Sequence, residues 1–169
     1  MTCAVTTSVL SDSWAPLADN LIGFTTQSVD SLLNCPTSSA DGAQSLPSLY
    51  QFIQDTTTVA RISPEILVAS LVYIERFKES LPVGSKGEYG ACHRIFLAGI
   101  LIASKFLDDK PLTTAKLVQV MGNRWSSKEI NRMERAFLNF LQFRLWVDSE
   151  EIYTYIAKNG IELDLSASI

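Results

Sequence analysis

Apolar residues along the chain recur at helical spacing, and no stretch alternates long enough to read as a strand. Ser45-Leu46-Pro47 opens a helix that runs to about Thr58, with Leu49, Phe52 and Ile53 facing inward. Ser63-Pro64-Glu65 combines a capping side chain, a proline in the first helical position and an acid in the first turn. The helix it starts runs from Ile66 to about Ser80, and a loop over Leu81–Gly87 follows. The most apolar segment comes next, from about Tyr89 to Leu107, with Ala98, Gly99, Ala103 and Ser104 small enough for close helix contact. Asp108-Asp109-Lys110-Pro111 ends it, because the residue before a proline is pushed out of the helical region. Thr113 or Thr114 caps a short helix to about Met121, closed by Gly122. Ser126 and Glu129 have capping-box spacing and open a helix to about Phe143. Asp148 or Ser149 caps a last helix through Ala157, stopped by Asn159-Gly160.

Residues 1–44 are rich in Ser and Thr. Trp14, Leu17, Leu21 and Phe24 nonetheless recur at helical spacing behind Ser11 or Asp12 and an early Pro16, which predicts a helix over 13–23 and a second over 28–34. A flexible arm is the alternative. The pattern as a whole predicts an all-α domain: an arm over 1–44, five core helices over 45–148, and a helix and tail over 149–169.

Two charges interrupt this pattern. Lys105 ends the most apolar helix, and lysine is almost never fully buried without a partner. Glu134 lies four residues from both Ile130 and Leu138, so a helix sets it within an apolar stripe. The cation at Lys105 should meet an anion, for which Glu134 is a candidate, or lie at the edge of the core where it can reach a partner. Two unlike charges misplaced on greasy faces point to a constructed site.

Composition narrows the function by exclusion. The longest apolar run, about thirteen residues, is short of the ~18–20 that a membrane span needs. No basic residue precedes Arg61, which argues against a charged leader or transit segment and for a nuclear or cytoplasmic protein. Residues 45–148 carry a net charge of +3, against −4 before and −3 after, far from the dense basic stripe of a nucleic-acid binder. Cys3, Cys35 and Cys92 have no metal-ligand spacing and read as free thiols. The single histidine, His93, adjoins Cys92, but neighbours on a helix diverge by ~100° and make no nucleophile–base pair. Gly84, Gly87 and Gly90 lack the order of a phosphate loop, and Asp108-Asp109 reads as a solvated helix end. No catalytic residue, metal site or cofactor is therefore expected, and the chain should act by contact.

Tyr73-Ile74-Glu75-Arg76-Phe77, His93-Arg94-Ile95-Phe96-Leu97, Ala103-Ser104-Lys105-Phe106-Leu107-Asp108-Asp109 and Asn131-Arg132-Met133-Glu134, in that order, resemble the cyclin box. The resemblance covers about 45–148, and the second and third segments look most like the phosphate-pathway (P-type, or PCL) cyclins of fungi. It implies a five-helix box with additional N-terminal and C-terminal helices. It also implies a regulatory subunit that forms a heterodimer with a cyclin-dependent protein kinase and activates it, with no nucleic acid, membrane or small-molecule substrate. Lys105 and Glu134 match the family's charged pair at the kinase; Phe106, Leu138, Phe143 and Leu145 match its apolar kinase-facing positions; Glu75, with Arg76 beside it, matches a structural acid. Ser48–Ile53 departs from the family's substrate-docking Met-Arg-Ala-Ile-Leu patch. Too few residues follow Asp148 for a second box. A cyclin-fold scaffold that binds transcription machinery without activating a kinase is the alternative.

Overall fold

Helices α3 (Pro64–Ser80) and α4 (Ala91–Leu107) form the centre of the fold, with residues 66–74 and 96–104 buried without a break on every side of each helix. In this computed structural model, which describes residues 14–39 and 45–163, five more helices surround them: α1 (Asp19–Asp30), α2 (Leu49–Val59), α5 (Thr114–Val120), α6 (Ser127–Leu141) and α7 (Ser149–Asn159). Among the described residues the one β feature is an isolated bridge between Asn34 and Lys86. Among them, too, no helix is long and apolar enough to cross a membrane. The expectation of an all-α box with extra terminal helices is met.

The starts of α3, α5, α6 and α7 follow the expected chemistry. Ser63 accepts from the Ile66 amide with Pro64 in the first turn, and Ser126 and Glu129 complete a capping box at α6. Thr113 and Asp148 cap α5 and α7. At Gly90, the cap of α4, φ is +79°, which strains any residue with a side chain, and an added Cβ would lie 2.6 Å from Leu46 Cδ1, which would have to move. α4 packs chiefly on α3 and α6 and also touches α1 and α2, while α7 lies on α3. Gly99 sits opposite Ile74 and Ser70 at the α3–α4 contact.

Several boundaries differ from the sequence reading. The first helix is α1, starting at Asp19 rather than 13, with Ala18 as an extended cap. Pro16 and the residues beside it lie outside any helix, and Trp14 is anchored from that segment by its indole N–H, which donates to the Ile62 carbonyl at 3.2 Å. Ser11 and Asp12 lie outside the described residues. The separate helix over 28–34 does not form, because α1 continues through Gly23–Asp30. Thr25 and Thr26, which look like a break, donate their hydroxyls to the carbonyls of Leu21 and Ile22. Thr25 can then be buried beside Leu21, Ile22 and Val29. The second helix starts at Leu49, capped by Ser48, not at Ser45. Finally, α6 stops at Leu141, two residues early, because Gln142 and Phe143 adopt φ of +52° and +55°.

Candidate functional site

The two misplaced charges meet. Lys105 Nζ donates to both carboxylate oxygens of Glu134 at 3.0 Å each and to Thr114 Oγ1 at 3.4 Å. The Thr114 hydroxyl in turn donates to Asn131 Oδ1 at 3.3 Å. Lys105 lies where α4 leaves the core: Ser104, just before it, is buried and its hydroxyl accepts from the Leu112 amide at 2.7 Å. That bond fixes the turn toward α5 and sets Thr114 beside the ammonium. The Lys105 side chain is 38% exposed and that of Glu134 15%. The ammonium spends its donors within the cluster, whereas a carboxylate has about four lone-pair positions. Glu134 therefore keeps acceptor capacity for a donor from outside.

Phe106 and Phe143 are exposed at 45% and 64%, while Leu138 and Leu145 are half-buried against the core. Leu138 lies one turn after Glu134 on the same face of α6, and Phe106 adjoins Lys105. Phe143 owes its exposure to the left-handed pair after α6. Its amide donates back to the Leu138 carbonyl at 3.1 Å, and the side chain leaves the helix axis.

The segment after that turn is held from α3. Arg76 donates to the carbonyls of Arg144 at 2.6 Å and Trp146 at 2.9 Å, and to Glu151 of α7 at 2.6 Å. Tyr73, fully buried, donates its hydroxyl to the Leu145 carbonyl at 2.7 Å. Three successive carbonyls are thus satisfied by two α3 side chains one turn apart. Glu75 accepts from Lys158 of α7 at 3.3 Å. The six residues singled out for contact divide in two: Lys105, Phe106, Glu134 and Leu138 lie along α4 and α6, while Phe143 precedes the clamped segment and Leu145 lies within it. Glu75 and Arg76 attach α7 instead.

Sequence reasoning missed Thr114 and Asn131 as the ends of the charged cluster, Tyr73 and Arg76 as the clamp, and Trp146, which is 74% exposed beside Leu145. The legible trace was Arg76, with Glu75, where the apolar run of α3 ends.

His93 and the thiols take structural places. His93 Nε2 is 2.9 Å from the Pro47 carbonyl, and its ring meets Phe52 edge-on at 4.8 Å. Burial holds its pKa below the ordinary histidine value against the opposing Pro47 bond, with Arg124 adding to the depression. Cys35 and Cys92 are free, with sulfurs 3.6 Å apart; burial, then the bond with Cys35, pushes the Cys92 thiol up to about 12.

Comparison with known proteins places this arrangement in a family. A sequence model described as "Cyclin, N-terminal domain" matches residues 26–146. The chain is 28% identical over 145 residues to "PHO85 cyclin-1" of Saccharomyces cerevisiae, covering 82% of this chain and 52% of that protein. It is 31% identical over 121 residues to "Cyclin-U4-1" of Arabidopsis thaliana (70% and 57%), and 28% over 108 to "Cyclin-P2-1" of Oryza sativa subsp. japonica (64% and 48%). The chain spans about half the length of these curated relatives.

Proposed function

The chain belongs to the cyclin family, and we propose that it is the noncatalytic regulatory subunit of a cyclin-dependent protein kinase, which it binds and activates. The observation that carries this reading is the Lys105–Glu134 pair at the border of an exposed apolar surface. A partner's backbone amides would bond the open lone pairs of Glu134, which Lys105 holds in place. Phe106, Leu138, Phe143 and Leu145 would bury against an apolar helix, at roughly 25 cal/mol per Å² of surface removed from water. If that helix is the kinase αC helix, contact made only with its inward position raises the population of the active conformation. The phosphate-responsive type is the finer part of the proposal and rests on the resemblance carried by the segments at His93–Leu97 and Ser104–Asp109. Nucleus or cytoplasm is the compartment that such a partnership implies.

The test is co-purification of the chain with each cyclin-dependent kinase of its own organism, followed by phosphorylation of a generic substrate. One kinase should gain activity with the wild-type chain and lose most of that gain with Glu134→Ala. Stable binding without any gain would favour a scaffold, and turnover by the chain alone would overturn the proposal.

A further inference from the structure

A second surface lies on the opposite flank of α6. Glu134, Leu138 and Asn131 share one side of that helix. Arg132, Ala136, Phe140 and Glu129 point roughly 160–240° around the axis from Glu134 at 100° per residue. Together with the N-terminal half of α4, this second side bounds a groove of about 500 Å³. Its depth comes from small residues, since Ala91 and Ala98 of α4 and Ala136 of α6 line it where leucines would fill it. One wall is aromatic and fixed: Phe140 is 45% exposed, yet its ring meets Phe77 edge-on at 4.9 Å, and Phe77 stacks on Phe137 at 5.1 Å. From Glu129 to Phe140 the groove follows α6 for about 16 Å at 1.5 Å per residue, about three helical turns. That length suits a partner helix presenting apolar anchors at i, i+4 and i+7 rather than one inserted side chain.

The charge at one end chooses among partners. Arg94 and Arg132 both line the groove near Glu129. A single Glu129 carboxylate stands beside two guanidinium groups and so cannot neutralise both; its Oε2 accepts from the Ser126 amide at 2.7 Å, the bond that chiefly holds its pKa below the ordinary value. Arg94 has only a loose 3.8 Å contact with Glu88, itself 91% exposed. Arg132 makes no hydrogen bond or ion pair among the described residues. Two guanidinium groups beside an apolar trough favour a carboxylate-bearing segment.

We propose that the α4–α6 groove is a docking site for an amphipathic helix of a partner protein, with acidic residues next to its apolar anchors, at Arg94 and Arg132. It lies on the flank away from Lys105 and Glu134, so both surfaces can be occupied at once. The site would therefore recruit a third protein to a chain already engaged through its charged pair.

Two fluorescein-labelled 14-residue peptides test this by fluorescence polarisation with the full chain. Both carry leucine at i, i+4 and i+7, and they differ only in flanking Glu-Glu or Lys-Lys. The acidic peptide should bind at least tenfold tighter than the basic one. Arg132→Glu should invert that preference, and Ala136→Trp, which fills the trough, should weaken the acidic peptide at least tenfold. Melting temperature and any kinase stimulation should be unchanged in Ala136→Trp. Equal affinity for the two peptides, binding of neither, or indifference to Ala136→Trp would overturn the proposal. So would self-association of the wild-type chain in sedimentation that Ala136→Trp abolishes, since the occupant would then be a second copy.

Discussion

Lys105 and Glu134 illustrate how far a single residue can be read from sequence. Each was legible because it broke an apolar periodicity, and the structure joins them at 3.0 Å. Thr114, which receives the same ammonium, was not legible, since a threonine beside a helix start reads only as a cap. Tyr73 was illegible for the opposite reason: an aromatic in an apolar helix announces burial, and nothing local says where its hydroxyl points. The energetics of the pair follow from exposure. With Lys105 38% exposed, solvent screens the charges, and Glu134→Ala should change the stability of the free protein by only about 0–1 kcal/mol. If Glu134 accepts amides from a kinase, the same change should weaken that complex by about 1–3 kcal/mol. Chemical denaturation beside calorimetric binding separates the two. A large loss of stability with unchanged affinity would make the pair a core brace.

At the level of elements, helix existence was readable and helix ends were less so. Caps with side-chain chemistry, such as Ser63 and Ser126, marked starts correctly. α1 was misplaced because its cap, Ala18, makes no side-chain bond, while Ser11, Asp12 and Pro16 upstream offered the residue types of a helix start. The end of α6 depends on Gln142 and Phe143 turning left-handed, which tertiary packing rather than residue type decides. The α3–α4 contact offers a test of packing against propensity. A Cβ built on Gly99 would meet Ile74 at 3.6 Å and Ser70 at 3.8 Å, ordinary contact distances. Gly99→Ala should therefore stabilise the protein by up to about 1 kcal/mol, the helix-propensity difference. A melting temperature lowered by several degrees would show instead that the two helices must approach more closely than the structure has them.

For the whole molecule, three buried weak acids set a limit on alkaline stability. Burial pushes Tyr73 and Tyr155 from 10.0 up to about 12; Arg76 opposes the shift and Glu151 reinforces it at Tyr73, and Glu75 reinforces it at Tyr155. Cys92 rises from 9.0 to about 12. Below pH 9 folded and unfolded chains both hold these protons, so nothing is lost. Above it the unfolded chain releases them while the folded one retains them, and stability falls as pH rises toward 12. Each group contributes about 1.4 kcal/mol per pH unit within its own window. Thermal melts should show the midpoint dropping steeply above about pH 9–10, and a flat profile from pH 8 to 11 would contradict this assignment. The clamp that Tyr73 and Arg76 close on the carbonyls of residues 144–146 has a thermodynamic corollary for assembly. Folding has already frozen the backbone of those three residues, so an incoming partner finds them in one conformation. Releasing them would reinstate an ordering entropy of at most about 3–6 kcal/mol, at 1–2 kcal/mol per residue. Arg76→Ala, which touches no proposed contact atom, should thus bind a kinase with a more unfavourable entropy and little change in enthalpy, a cost that preorganisation spares the wild-type chain.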